Sequence, residues 1–229
     1  MLPWIARRWY DFAYFACTGW ASIMHGLRVA GTANIPRTGP VMLLSNHQSF
    51  MDPPLVGLGA NRYLSYLARR TLFRNPRFKA FIESLDAIPI DHKGFSKEGI
   101  QIVLDKLDKN CAILMFPEGE RTHDGEVHPI KPGISLILRR SKAPIVPVGI
   151  AGAYYALNRF MKIPRLAPIF LPWCSARIAV CYGKAIYPHE IEHMGREELL
   201  DFLHKKMVEQ FERAKMLQLG VQKQFLEQE

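Results

Sequence analysis

The stretch CAILMF (residues 111–116) is apolar without a break over the length of one strand, the pattern of a strand covered on both faces. Five further segments read as strands: VMLLS (41–45), YLSYLA (63–68), AIPID (87–91), PIVPVGI (144–150) and ARIAVCYG (176–183). Helical patterns separate them. NPRFKAFIESL (75–85) and GISLILRRS (133–141) read as short helices, and a long charged helix spans 196–219. The clearest helix begins at Ser96, a residue suited to an N-cap, with Ile100, Val103, Leu104 and Leu107 spaced i, i+3, i+4, i+7 along one buried face. Strands alternating with helices predict an α/β fold, a mostly parallel (mixed) sheet flanked by helices. With 229 residues and no linker or low-complexity segment, the chain is expected to form one main domain (31–229) behind a helical N-terminal segment (1–30).

Sheets of this kind collect ligands beyond the carboxyl ends of their strands. The two richest polar stretches lie there: SNHQSFMD (45–52) leaves the strand at 41–45, and FPEGERT (116–122) leaves the strand at 111–116. In the first, His47 is the general-base candidate, because imidazole titrates near neutral pH. Asp52 is near enough in sequence to fix the imidazole tautomer and stabilise the imidazolium. Neither Ser45 nor Ser49 stands in a G-x-S-x-G turn, so the simplest chemistry for the pair is activation of a hydroxyl on the substrate. Asp52 also precedes Pro53 and reads equally as the N-cap of a helix opened by proline. In the second stretch, Gly119 permits an unusual turn. Arg121 offers a planar fork matched to phosphate, and Glu118 can orient that fork or accept a hydrogen bond from a substrate hydroxyl. Arg69, Arg70, Arg74 and Lys131 are loop cations that would widen such an anion site.

A net charge of +9 and an isoelectric point near 9.5 predict attraction to nucleic acid, an anionic membrane surface or an acidic small substrate. No zinc-finger spacing, aromatic RNA platform or helix-turn-helix pattern is present, which argues against nucleic acid. The first 30 residues favour the membrane: they are rich in Trp, Tyr and Phe, with Arg7 and Arg8 near the start and Arg28 near the end. Their uncharged stretch, 12–24, is shorter than the roughly 20 residues that span a bilayer. A helix or helix pair lying in one leaflet is therefore expected, a core helix being the alternative. Cys17, Cys111, Cys174 and Cys181 lack CxxC spacing and read as reduced core thiols. A reducing compartment places the expected membrane association on the cytoplasmic face. His123, with His47, Asp52 and Glu118, lacks the HxH or HExxH spacing that metal sites favour, so no metal is expected.

Together these motifs resemble the glycerolipid acyltransferases of the 1-acylglycerol-3-phosphate acyltransferase type. The family pattern NHxSxxD is matched by Asn46, His47, Ser49 and Asp52. FPEGTRS is matched by Phe116, Pro117, Glu118, Gly119 and Arg121, with Glu120 in place of Thr and Thr122 in place of Ser. A VPV-type strand is matched by Val146, Pro147, Val148 and Gly149. The remaining pattern, Gly-x-Ile-x-Ile-Asp-Arg, is kept at Ile88, Ile90 and Asp91, but His92 stands where the Arg would be and Lys93 follows.

The resemblance implies transfer of an acyl group from acyl-CoA or an acyl carrier protein to the free hydroxyl of lysophosphatidic acid, with membrane phospholipids as partners. By the same resemblance His47 takes the hydroxyl proton, Asp52 holds the imidazole, and backbone amides stabilise the oxyanion. Asn46, Ser49, Arg69, His92, Lys93, Glu118, Gly119, Arg121 and Lys131 are then the substrate-binding set, and no cofactor beyond the thioester co-substrate is needed. His92 keeps other acceptors open: another lysophospholipid, a lipo-amino acid or a glycolipid. A lipid-binding protein without turnover is the remaining alternative.

Overall fold

A computed structural model describes residues 4–90, 97–166 and 177–220. One sheet holds β1 (Arg28–Ala30), β2 (Val41–Ser45), β3 (Leu64–Arg69), β4 (Ala87–Ile90), β5 (Ala112–Met115), β6 (Ile145–Ala151) and β7 (Ala179–Tyr182), in the spatial order β1-β7-β6-β2-β5-β3-β4. All neighbours are parallel except β6 and β7. The sheet is therefore mixed and mostly parallel, as the alternation of patterns predicts.

The helices are α1 (Trp4–His25), α2 (Asp52–Gly59), α3 (Pro76–Ser84), α4 (Lys97–Asp108), α5 (Ser135–Arg140), α6 (Ala153–Leu157), α7 (Pro188–Ile191) and α8 (Arg196–Leu219). Strand periodicity divides them between two faces. Val41 and Leu43 of β2, Leu114 of β5 and Val146 and Val148 of β6 pack with Ala21 of α1, Leu55 and Val56 of α2 and Ala153 and Ala156 of α6. Their neighbours Met42, Leu44, Ile113, Met115 and Ile145 pack on the other face against Val103 and Leu107 of α4, Ile137 of α5 and Leu203 and Met207 of α8. These side chains are almost wholly withdrawn from water, and each contributes about 1.5–3 kcal/mol by burial.

α8 is the long charged helix of the sequence, and one of its faces belongs to the core. Leu199, Leu203, Met207, Phe211, Ala214 and Leu217 are buried along one stripe. The helix crosses β6 at Gly149, where a Cβ would stand 2.1–2.3 Å from the backbone of Gln210 and Phe211. Any larger residue there would force the two backbones apart.

The N-terminal segment is a single helix of 22 residues rather than a pair. Tyr14 donates its hydroxyl hydrogen bond to the Leu58 carbonyl at 2.7 Å, and the Trp9 indole donates to Ser84 at 3.1 Å. Ala21 is buried beneath it, while Phe12, Phe15 and Ile23 remain exposed. Among the described residues no helix is long and apolar enough to cross a membrane. The chain then enters β1, so residues 28–30, expected with the N-terminal segment, are part of the sheet.

Of the cysteines, Cys181 is buried, with its thiol pushed up to about 11 by burial. Cys111 is half-buried and Cys17 is exposed on α1, so the expectation of core thiols fails at Cys17. Cys174, Asp91, His92, Lys93 and Ser96 lie outside the described residues.

Candidate active site

β2 and β5 are adjacent and parallel, with Leu44 beside Met115, so the two polar stretches leave the sheet side by side. Asn46 is the first residue beyond β2. Its side chain continues the ladder: Nδ2 donates to the Ile150 carbonyl at 3.0 Å and Oδ1 accepts from the Ile150 amide at 2.7 Å. This satisfies the neighbouring strand while the main chain turns away.

Asp52 opens α2 one position inside the cap residue Met51, with Pro53 next. Its Oδ2 turns back and accepts from the amides of Gln48 at 2.6 Å and Ser49 at 2.7 Å and lies 2.7 Å from His47 Nδ1. Asp52 is therefore not the N-cap of α2: Met51 holds that place, and the Asp52 carboxylate instead orders the turn before the helix and holds the imidazole. The carboxylate is fully buried, and these hydrogen bonds offset its desolvation. With Nδ1–H donated to Asp52, the other ring nitrogen, Nε2, carries the lone pair. The His47 ring is stacked on Phe116, centroids 4.0 Å apart and planes at 17°, and its side chain is 19% exposed.

The stretch after β5 grips the His47 peptide from both ends. Glu118 Oε1 accepts from the His47 amide at 3.1 Å, and the Thr122 amide donates to the His47 carbonyl at 2.7 Å. Burial pushes the Glu118 carboxyl up to about 8; hydrogen bonds from the His47 and His128 amides pull it back only in part. Glu118 thus faces the backbone of the His47 turn, not an open anion site.

Gly119 takes φ +75°, and the Lys131 stem lies where its Cβ would be, 2.9–3.2 Å away. The Arg121 guanidinium carbon sits 3.4 Å from the centre of the Phe50 ring. Arg159 donates to the Arg121 carbonyl at 3.2 Å, and Arg69 reaches the Gly119 carbonyl at 3.5 Å. Burial first, then the charges of Arg69 and Arg159, lower the pKa of Arg121 from its ordinary value, and guanidinium stays charged regardless. Glu120, at the position of the family's Thr, approaches Lys131 at 3.6 Å, Arg159 at 3.7 Å and His123 at 3.9 Å. Lys131 above all holds the Glu120 carboxyl below its ordinary range. One carboxylate among these cations leaves a positive patch beside the His47–Asp52 pair.

Of the expected substrate-binding residues, Arg69, Gly119, Arg121 and Lys131 come together around this turn. Asn46 and Ser49 are buried and spend their polar atoms inside the protein, Ser49 Oγ donating to the Leu157 carbonyl at 2.6 Å and accepting from the Met51 amide at 3.1 Å. Arg70 and Arg74 are exposed on the turn following β3. His123 turns to Arg159, 2.6 Å away, rather than joining His47 and Asp52.

Sequence reading missed Gln48, Tyr154 and Arg159. Gln48 Nε2 donates to the Gly125 carbonyl at 2.6 Å, and its Oε1 accepts from the Tyr154 amide at 3.3 Å. Gln48 was marked only by its place between His47 and Ser49. Arg159 follows α6 without any local pattern.

The family model described as acyltransferase matches residues 26–151, more than half of the chain, and takes in His47, Asp52, Glu118 and Arg121. The chain is 27% identical over 192 residues to 1-acyl-sn-glycerol-3-phosphate acyltransferase of Bacillus subtilis, covering 83% of this chain and 89% of that one. It is 28% identical over 168 residues to the enzyme of the same name from Pseudomonas aeruginosa, covering 70% and 62%. The crystal structure of the 1-acyl-sn-glycerophosphate acyltransferase of Thermotoga maritima superposes with a TM-score of 0.71 at 23% identity, over 88% of this chain and 76% of that one. A shared fold, a matched family model and a His47–Asp52 pair at the end of the central strand lead to one conclusion: the chain belongs to the acyltransferase family.

Proposed function

We propose that this enzyme transfers a fatty acyl group from an acyl thioester, acyl-CoA or acyl carrier protein, to the free hydroxyl of 1-acyl-sn-glycerol-3-phosphate, giving phosphatidic acid. The observation that carries the mechanism is the 2.7 Å contact between His47 Nδ1 and a buried Asp52 carboxylate. It leaves Nε2 as the base. Nε2 takes the proton of the acceptor hydroxyl, the oxygen attacks the thioester carbonyl, the carbon–sulfur bond breaks, and the departing thiolate recovers the proton from the imidazolium. Asp52 stabilises that imidazolium without itself being protonated. The substrate assignment is supported by the names of the relatives and by the positive patch, whose Arg121, Arg69, Arg159 and Lys131 suit a phosphate monoester.

In this reading Glu118 supports catalysis by fixing the His47 peptide, not by touching the acceptor. α1 would rest on the cytoplasmic leaflet, its exposed Phe12 and Phe15 in the headgroup layer.

A second acceptor class rests on one specific observation, His92 in the place of the family's Arg. A panel of lysophosphatidic acid, lysophosphatidylglycerol and lysophosphatidylethanolamine with one acyl-CoA, followed by mass spectrometry, separates the two. Phosphatidic acid as the dominant product is expected. A larger kcat/KM for an acceptor without a terminal phosphate would overturn the assignment.

A further inference from the structure

Beyond α6 the chain forms a loop, residues 158–166, whose backbone is tied down while its large apolar side chains face water. The Arg165 amide donates to the Ala156 carbonyl at 2.7 Å, closing the loop at its base. Asn158 orders the turn, its Oδ1 accepting from the Phe160 amide at 2.9 Å and its carbonyl from the Met161 amide at 3.2 Å. The base is coupled to the catalytic turn, because Ser49 donates to the carbonyl of Leu157 and Arg159 donates to that of Arg121. Yet Phe160 is 68% exposed and Ile163 77% exposed, and Phe50 on the catalytic turn is 55% exposed. Phe50 and Phe160 meet the protein through Arg121 and Arg159 and still leave more than half of their surface in water, an exposure that marks an interaction surface.

The charge around these side chains names the partner. The loop carries Arg159, Lys162 and Arg165 and no Asp or Glu. Apolar side chains flanked by cations match the headgroup layer of an anionic bilayer, where rings and alkyl groups enter the acyl boundary and cations are drawn to the anionic surface. α6, which leads into the loop, lies on the same face of the sheet as α1.

We propose that the 158–166 loop, with Phe50 beside it, is a membrane contact separate from α1, seated in the headgroup layer of an anionic phospholipid bilayer so that the catalytic turn opens directly onto lipid. This deepens the function proposed above and rests on it only for the nature of the substrate.

The test uses the full chain carrying F160S and I163S together, with α1 and the catalytic turn intact. Three quantities are read: partition onto phosphatidylglycerol-containing vesicles, turnover of long-chain lysophosphatidic acid embedded in those vesicles, and turnover of a short-chain lysophosphatidic acid that stays monomeric in water. The expected result is partition weakened about tenfold, a similar loss of turnover on vesicles, and unchanged turnover of the monomeric acceptor, which also establishes that the variant is folded. Unchanged partition and vesicle turnover would overturn the proposal, as would equal losses on both acceptors. A loss confined to reactions with an acyl carrier protein donor, at unchanged partition, would assign the loop to a protein partner and overturn it as well. If the native protein acylates neither acceptor, the functional reading fails, while the partition comparison still decides the role of the loop.

Discussion

The two faces of the sheet are covered by helices of different character. On one face α4, α5 and α8 are charged toward water, and their exposed large apolar side chains are few: Ile102, Leu136 and Leu219. On the other, α1, α6 and the segment after α6 present Phe12, Phe15, Trp20, Ile23, Tyr155, Phe160 and Ile163. Both faces bury similar aliphatic side chains against the strands, so the core does not require this asymmetry. The first face meets water mainly with charged side chains, whereas the second keeps large apolar side chains exposed. The lesson is a division of labour: substitutions on the α8 face should change stability, and those on the open face should change where and how well the enzyme works.

The largest effect should come from the junction of the two polar turns. Asp52→Asn keeps the size of the side chain but removes the charge that stabilises the imidazolium, and kcat is expected to fall roughly 10²- to 10⁴-fold. Steady-state assay at matched folded concentration checks this. On the α8 face, Gly149→Ala forces β6 and α8 apart, costing about 3 kcal/mol, or a fall in Tm of roughly 6–12 °C. Its kcat per folded molecule should be close to native, and a selective loss of kcat would break the comparison.

Glu118 sharpens it through pH. Its carboxyl is raised to about 8 from an ordinary 4.5 by burial, so the folded protein keeps a proton that the unfolded chain releases between those values. Stability from this source is complete below the lower value, declines as pH rises through the interval, and is lost above the upper one. Glu118→Gln keeps an acceptor for the His47 amide and removes the titration. Urea melts of that variant from pH 5 to 8 should lose this decline, with activity reduced only several-fold, while Glu118→Ala should lose far more. The smallest effect on stability belongs to the open face. F12S with F15S should stay within about 0.5 kcal/mol of native and yet release the protein measurably from anionic vesicles, as read by co-flotation.

Much of the sheet was legible because a strand buried on both faces leaves a continuous apolar run, as at 41–45 and 111–116. β1 was not, since three residues carry no period and its place is set by pairing with β7, far along the chain. The buried stripe of α8 was present at Leu199, Leu203, Met207 and Phe211, but the surrounding charges masked it. At the site, His47, Asp52 and Arg121 were readable from spacing and chemistry. The inward role of Glu118 was not, because a carboxylate in a polar stretch looks alike whether it meets solvent or a backbone amide. Arg159 was hidden for a simpler reason: its contact with Arg121 spans 38 positions.

The most direct measurement is phosphatidic acid formation from lysophosphatidic acid and a long-chain acyl-CoA by purified native protein and His47→Ala in the same detergent, quantified by mass spectrometry. The expected result is steady product from the native protein and less than about 1% of that rate from the variant, the loss typical of a missing general base. Equal product from both would contradict the assignment of His47 as the base and, with it, the mechanism proposed for this fold.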